Sequence, residues 1–376
     1  MMADKDGRLD SEIHFAGSEK ADNMHRGRCI ADESLFVGTT NHRTSHYRNL
    51  KERCDMYKCL PLKLCGDLGQ VLFHPFHLRD EDSIRKCIKY SNVVINLIGR
   101  DWETRNFTFH EVHVEGARRL ARLCKEANVE HFIHLSALNV DVDESYVLKD
   151  GSEFLRTKLE GECAVREEFP EATIIRPSDI WGQEDRFLRV YSGIMRHHLR
   201  TVPIWKKGEE TEKQPVGVYD VAGGITTIAK DPKNTAGKTY QFVGPKRYKF
   251  SELLDWFHRI RIRDPVDYGY MRIDLKYAPF FKLKVSLNEF ITPAHPVGYL
   301  QWERLERVRF NLTIINEAIS DTISPELPTL EDLGIALTTM ESRMHWELKP
   351  YRKDPQYMES VGEFDPIPNP PTVAVH

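Results

Sequence analysis

Small or polar residues follow two apolar, strand-like runs of the sequence. Gly99 ends the run at residues 92–98, and Ser136 follows the run at residues 131–135. In open α/β proteins, ligands bind at the carboxyl ends of parallel strands, where a glycine lets the backbone approach the ligand. We therefore expect Gly99 and Ser136 to line one binding cleft. An ordinary core strand remains the alternative for residues 92–98.

An aromatic ring and an ammonium group lie one helical turn apart in Phe154-Leu155-Arg156-Thr157-Lys158, eighteen residues after Ser136. Residues four apart share one face of a helix. Phenylalanine has no ionisable hydroxyl, so residue 154 cannot act as a general acid or base. The spacing therefore places Phe154 and Lys158 on one face of a helix, and residue 154 is expected to supply no acid-base chemistry.

Two further segments lie beside regular elements of the predicted sheet. The turn Arg176-Pro177-Ser178-Asp179-Ile180 follows the strand-like run at residues 172–176, although a plain strand-to-loop turn is an equal alternative. The segment Pro215-Val216-Gly217-Val218-Tyr219-Asp220 precedes a helical pattern, and Asp220 is predicted to be the N-cap of that helix.

The histidines and cysteines do not have the spacing of metal ligands. His110-Glu111-Val112-His113 has its histidines three apart rather than four, which predicts a solvated helix start. His131 and His134 flank an apolar strand and are interpreted as hydrogen-bonded neighbours of the core. The seven cysteines contain no CxxC pair and are expected to be reduced thiols. The sequence predicts no metal site.

The chemistry-bearing residues lie on a regular alternation of strand-like and helical patterns from Arg53 onward. Strand-like runs occur at residues 70–73, 92–98, 130–136 and 172–176, and residues 111–127 have the period of a crossover helix. This alternation predicts a Rossmann-like, mostly parallel α/β sheet with helices on both faces. The next helix is expected to end with residues 160–168, before Pro170, and further helices are expected at residues 221–229 and 250–260.

Four regions are predicted along the chain. Residues 1–52 lack a regular period, apart from a short strand candidate at 34–37, and are expected to be poorly ordered. The nucleotide-binding domain is predicted at residues 53–257 and a smaller C-terminal lobe at 258–350. Residues 351–376 are proline-rich and are expected to form an extended tail.

Composition excludes several classes of protein. A net charge of −4 lacks the basic excess typical of nucleic-acid binders. No apolar run approaches the roughly 18 residues of a transmembrane helix. Acidic residues near the start are unlike a mitochondrial transit peptide, so none is expected there. Between residues 258 and 309, interleaved aromatic and basic side chains predict peripheral contact with lipid headgroups.

Taken in order, these segments resemble the extended short-chain dehydrogenase/reductase family. In that family a serine, a tyrosine and a lysine four residues after the tyrosine form the active unit. The resemblance implies that Lys158 holds the nicotinamide ribose and that Phe154 replaces the catalytic tyrosine. It also implies an NADPH site in which the following residues take part: Arg53 at the 2'-phosphate, Leu97, Ile98, Gly99 and Ser136 along the cleft, and Pro177, Ser178 and Ile180 over the nicotinamide.

A narrower resemblance covers roughly residues 53–350 and is most specific in Asn96-Leu97-Ile98-Gly99-Arg100-Asp101-Trp102-Glu103-Thr104. It is to the non-catalytic, nucleotide-binding accessory subunits of mitochondrial respiratory complex I. It implies one structural NADPH, other complex I subunits as partners, and a peripheral position on the matrix side of the inner membrane, where the two arms of the complex meet.

One departure from the family concerns the first strand. The family has a glycine-rich GxxGxxG turn there, whose amides hold the pyrophosphate. Here Phe36-Val37-Gly38-Thr39-Thr40 supplies one glycine only, so the first strand-turn-helix unit is predicted to be missing or replaced. Two alternatives therefore stay open: an active NADP-dependent reductase or epimerase, and a nucleotide-free interaction protein.

Overall fold

The computed structural model describes the chain in several stretches, and the following account is limited to them. They are residues 14–18, 72–99, 107–141, 152–182, 185, 187–188, 191–192, 201–262, 270–274, 319–352, 356, 363 and 365–374. Arg53 and the strand candidate at residues 34–37 lie outside these stretches.

Thirteen strands are found in the described residues. In chain order they are β1 His14–Ser18, β2 Leu72–Phe76, β3 Val93–Asn96, β4 His131–Leu135, β5 Thr173–Pro177, β6 Ile180–Trp181, β7 Thr201–Ile204, β8 Glu212–Lys213, β9 Val216–Gly217, β10 Thr239–Phe242, β11 Arg247–Lys249, β12 Met271–Asp274 and β13 Thr372–Val373.

Seven α-helices and three other helical segments accompany the strands of the described chain. The α-helices are α1 Glu81–Ile88, α2 Ala117–Glu126, α3 Glu153–Glu168, α4 Val218–Lys230, α5 Pro232–Thr235, α6 Phe250–Arg261 and α7 Met340–Glu347. A π-helix at Glu111–Gly116 runs directly into α2, and 3-10 turns occupy Trp205–Gly208 and Lys349–Tyr351.

The central sheet has the strand order β10-β5-β4-β3, and all three of its strand pairs are parallel. One face packs against α1, α2 and α3 through an apolar cluster that includes Phe132 and Leu120. The other face packs against α4 through a cluster that includes Ile133 and Ile225. The expected α/β sheet with helices on both faces is confirmed.

The N-terminal segment contains a strand that local pattern did not predict. His14–Ser18 pairs in parallel with Leu72–Phe76, so a regular element lies within residues 1–52. Its five residues have no strong alternation, and a tertiary partner rather than local propensity determines such a strand. The strand expected at residues 70–73 is shifted to Leu72–Phe76, in register with this partner.

A third apolar cluster joins α6 and α7 and includes Trp256, Met340 and Met344. A separate three-stranded antiparallel sheet has the order β13-β11-β8. Its edge strand β13 is formed by Thr372 and Val373 of the proline-rich tail. The boundary between the nucleotide-binding domain and the C-terminal lobe, placed between residues 257 and 258, stays a prediction. None of the helices in the described stretches is both long enough and apolar enough to span a bilayer.

The prediction that Asp220 caps α4 is wrong. The helix begins at Val218, its N-cap is Gly217, and no side chain caps it. Asp220 lies inside the first turn and instead accepts hydrogen bonds from the backbone N–H and the hydroxyl of Thr338, at 2.8 and 2.9 Å. The carboxylate therefore ties α4 to the segment that precedes α7.

Candidate functional site

The predicted cleft residues lie along the carboxyl edge of the central sheet. Strand β4 ends at Leu135, and the backbone N–H of Ser136 donates to Ile175 of β5 at 2.7 Å. Two residues later, the N–H of Leu138 donates to Pro177 at 3.0 Å. On the other side of β4, Asn96 of β3 is in register with His134. The sheet therefore brings Leu97, Ile98, Gly99, Ser136, Pro177 and Ser178 together along one edge.

Lys158 reaches this edge from α3. The helix begins at Glu153 because the hydroxyl of Ser152 caps it by accepting the N–H of Leu155 at 3.4 Å. Lys158 is 4% exposed, and its ammonium donates to the carbonyl of Leu135 at 3.4 Å. The same nitrogen lies 5.8 Å from the centre of the Phe154 ring, within the range of a cation-π contact. The ammonium of Lys158 thus lies over the ring of Phe154, which has no ionisable hydroxyl.

The π-helix fixes α3 in this position. Within it, His113 is buried, and its Nδ1 lies 2.9 Å from the hydroxyl of Thr157. That hydroxyl already donates to the backbone carbonyls of the preceding turn, so it accepts from the Nδ1–H of His113. The imidazole also meets Phe154 edge to face, at 5.3 Å between ring centres. His113 is therefore a packing residue of the helix pair, and the predicted solvated helix start is wrong for this histidine, which is 2% exposed.

A buried pair that the sequence analysis missed lies beneath the cleft. The side-chain oxygen of Asn96 accepts the N–H of Ile98 at 3.1 Å, so its amide nitrogen donates to Nδ1 of His134 at 3.0 Å. This places the ring proton of His134 on Nε2. Burial, and then the charge of Lys158, lower the pKa of His134 to about 3. The imidazole is therefore neutral at physiological pH and offers one buried donor.

Two polar atoms at this edge have no hydrogen-bond partner among the described residues: Nε2 of His134 and the hydroxyl oxygen of Ser136. A buried donor without an acceptor costs about 1 to 3 kcal/mol. Such groups are normally satisfied by water or by a ligand. Two unmatched donors beside an ammonium group make this a site suited to an oxygen-rich ligand.

The turn after β5 is held by backbone contacts. The hydroxyl of Ser178 donates to the carbonyl of Gln214 at 2.7 Å, and its N–H donates to Phe242 at 2.9 Å. Ile180 is half-buried and pairs with Val216 in a two-stranded parallel ladder. Ser178 thus supports the turn with its side chain, while Pro177 is buried and Ile180 is half-buried.

A charged cluster beside this turn was also missed. The ammonium of Lys213 lies 3.1 Å from Asp179 and 3.5 Å from Asp321, although the lysine is 2% exposed. Burial disfavours the charge, but the two carboxylates outweigh it and raise the pKa of Lys213. Burial raises the pKa of Asp179, and Asp321 adds to the rise while Lys213 opposes it. No local sequence pattern predicts the contact between Lys213 and Asp321, which are 108 positions apart.

Comparison with known proteins agrees with this architecture. Residues 34–242 match the NAD dependent epimerase/dehydratase family. The chain is 42% identical over 315 residues to NADH dehydrogenase (ubiquinone) 1 alpha subcomplex subunit 9, mitochondrial, of Mus musculus. The matched residues make up 84% of this chain and 76% of that protein. It is 33% identical over 306 residues to the NADH-ubiquinone oxidoreductase 40 kDa subunit, mitochondrial, of Neurospora crassa, covering 81% and 72%.

Among solved structures, that of gox2253 shares the fold, with a TM-score of 0.54 over 94% of this chain and 100% of that one. At 17% identity this likeness concerns the fold alone.

Proposed function

Because the chain belongs to the NAD dependent epimerase/dehydratase family and, within it, to the mitochondrial complex I alpha-subcomplex subunit 9 proteins, we propose that it is a non-catalytic accessory subunit of respiratory complex I. Its role is structural and lies at the junction of the peripheral and membrane arms, on the matrix side of the inner membrane. The observation that supports the inert role most directly is Phe154 beside Lys158, where the active enzymes of the fold have a tyrosine.

The proposed cofactor is one NADPH, which stabilises the fold because a ligand that binds only the native state shifts the folding equilibrium toward it. The carboxyl edge fits such a group, since the unmatched donors of His134 and Ser136 call for oxygen acceptors. In this proposal Leu97, Ile98, Gly99 and Ser136 line the cleft, Lys158 holds the ribose hydroxyls, Pro177, Ser178 and Ile180 cover the nicotinamide, and Arg53 pairs with the 2'-phosphate.

Retention of the nucleotide tests the cofactor part of the proposal. The GxxGxxG turn that anchors a pyrophosphate is lacking before Arg53, so we expect the purified chain to hold substoichiometric NADPH. Replacement of the N-terminal segment by a family-type strand and glycine turn is expected to raise the NADPH content, measured by acid extraction and chromatography. Equal content in the two proteins would contradict the anchoring argument.

A nucleotide-free interaction protein is the second candidate, because the site is closed in this structure: Ser136 and Lys158 are each 4% exposed. Nucleotide content separates the two candidates. If neither the native nor the grafted chain contains NADPH or binds it when it is added, the structural-cofactor role is refuted and the second candidate is favoured.

Peripheral contact with lipid is proposed for the aromatic and basic residues between positions 258 and 309. Arg272 is not available for that role, since its guanidinium lies 3.4 Å from Asp255. The test therefore replaces Lys276, Lys282 and Lys284 by Gln and measures cosedimentation with anionic liposomes. Basic residues near an anionic surface contribute about 1 kcal/mol each, so binding should fall strongly. A variant that binds as well as the parent, with an unchanged circular dichroism spectrum, would count against lipid contact through these lysines.

A further inference from the structure

Residues 319–324, here called the lid segment, cross the carboxyl edge of the central sheet. The segment contacts the loop after β4 through Asn139, approaches the turn after β5 through Lys213, and reaches β10 at Gln241. These are the strand ends at which ligands of open α/β sheets bind. The chain therefore covers its own candidate site.

The first part of the lid segment makes an apolar contact. Ile319 is 3% exposed and shares one hydrophobic cluster with Val140 and Leu155, against which Ala137 and Phe154 pack. Ala137 is the neighbour of Ser136, and Phe154 is the residue at the tyrosine position. Ile319 thus closes the part of the site where a substrate of a family enzyme would meet the catalytic groups.

The centre of the lid segment is held by Asp321, which is 3% exposed. One carboxylate oxygen accepts the backbone N–H of Gln214 at 2.7 Å. The other accepts from the amide of Asn139 at 3.2 Å and from the ammonium of Lys213 at 3.5 Å. Hydrogen bonds to a charged acceptor are stronger than neutral ones, so Asp321 is the main polar attachment.

The remaining contacts extend the attachment along the segment. The N–H of Thr322 donates to Asn139 at 3.0 Å, and the N–H of Ser324 donates to the side-chain oxygen of Gln241 at 3.1 Å. Arg247 donates to the backbone carbonyl of Asp321 at 2.6 Å. The backbone N–H of Asp321 also donates to the carbonyl of Glu212 in β8 at 2.9 Å. Since none of these contacts is a strand pair of the central sheet, the lid segment can separate from the edge without unfolding that sheet.

We infer that the lid segment gates the site: the Asp321 contacts hold it over Ser136 and Lys158, and a dinucleotide reaches the carboxyl edge only when this segment has moved away. The movement of the lid segment does not depend on the proposed function, whereas the entry of a dinucleotide rests on it. Opening would expose the hydroxyl of Ser136 to the oxygens of the ligand, and the hydrogen bonds formed there would offset part of the lost lid contacts.

Thiol accessibility tests the gate directly. Ser136→Cys places a near-isosteric thiol beneath the lid segment of the full-length chain, and its alkylation by iodoacetamide is followed by peptide mass spectrometry. Two native thiols serve as internal references, since Cys124 is buried in α2 and Cys163 is exposed on α3. The new thiol is expected to react far more slowly than Cys163 and faster than Cys124, because it needs only the lid segment to open.

Asp321→Asn is the variant that loosens the lid segment. Whichever way the new amide is turned, its NH2 group faces another donor, either the Lys213 ammonium or the Gln214 N–H. The matched control is Glu341→Gln, which weakens a contact with Lys246 (2.9 Å) and Tyr248 (3.0 Å) at α7, away from the lid segment. Ile319→Ala is a second opening variant that removes only apolar contact.

The gate predicts that Asp321→Asn and Ile319→Ala each raise the alkylation rate of the thiol at position 136 by roughly tenfold, while Cys124 is unchanged and Glu341→Gln has no effect. Three results would overturn it: a thiol at 136 that reacts as fast as Cys163 in the parent, no acceleration in either opening variant, or parallel acceleration of Cys124. If both variants accelerate alkylation but neither the native nor the grafted chain, each with Ser136 intact, binds NADPH, the gate stands and the proposed cofactor role fails.

Discussion

The ammonium of Lys158 lies 5.8 Å from the centre of the Phe154 ring, one turn further along α3. Lys158 has no phenol at residue 154 to activate, so this residue cannot perform the acid-base step of a dehydrogenase. General acids and bases typically contribute about a hundred- to ten-thousandfold in rate. We therefore expect no NADPH-dependent reduction of any carbonyl substrate, measured by the loss of NADPH absorbance. Turnover that disappears in Lys158→Met would contradict the inert role.

The buried imidazole of His134 predicts a loss of stability in acid. Its folded pKa of about 3 lies below the unfolded value, so the unfolded chain takes up the proton first as the pH falls through about 6.5. Stability is therefore present above about pH 6.5 and lost below it, by about 2 kcal/mol at about pH 5. Glutamine does not titrate, so in His134→Gln the free energy of unfolding is expected to fall less as the pH is lowered. Urea unfolding at several pH values measures this.

His110 offers the control for this measurement, because its side chain is 57% exposed. His110→Gln makes the same substitution at an exposed histidine, and we expect its effect on the loss of stability in acid to be smaller than that of His134→Gln. If His134→Gln keeps the full acid dependence of the parent, His134 is not the residue that responds to acid.

The close approach of α3 to the π-helix depends on Gly161. A Cβ atom at this position would lie 2.3 Å from the backbone oxygen of His113. Since backbone cannot move aside as a side chain can, Gly161→Ala is expected to lower the free energy of unfolding by about 1 to 3 kcal/mol or more. Gly223→Ala in α4 is the matched control, because its nearest neighbour is Ile335 at 3.7 Å and alanine favours helix. Equal thermal midpoints for the two variants would show that α3 does not rely on this contact.

Sequence analysis predicted the sheet and most of the edge residues because these depend on local pattern. The apolar runs at residues 92–98, 130–136 and 172–176 correspond to β3, β4 and β5, and the crossover helix is found as the π-helix and α2. Buried strands of a parallel sheet are near-continuous apolar runs, which a sequence displays directly. The position of Ser136 after β4 follows from the same pattern.

What the sequence could not predict depends on contacts between distant residues. The cluster of Lys213, Asp179 and Asp321 and the strand His14–Ser18 are determined by tertiary partners that no local period reveals. Asp220 has the residue type of an N-cap, but a partner 118 residues away takes its carboxylate. His134 was interpreted only as a hydrogen-bonded core neighbour, and its unmatched Nε2 became evident from the contact with Asn96.

The last prediction concerns Lys213, whose ammonium lies between Asp179 and Asp321. Lys213→Met leaves the two carboxylates facing each other without a counter-charge, and loss of one partner of a buried ion pair costs about 3 to 5 kcal/mol. Protonation of either carboxylate removes the repulsion, so the variant should regain stability relative to the parent as the pH is lowered from neutrality. Chemical denaturation at neutral and at mildly acidic pH measures both effects. Lys246→Met is the control: Lys246 is 40% exposed and pairs with Glu341 at 2.9 Å, so its loss should cost no more than about 1 kcal/mol. If the two variants lose the same small amount at neutral pH, the buried cluster is not a charge-balanced unit and Lys213 contributes only its aliphatic stem.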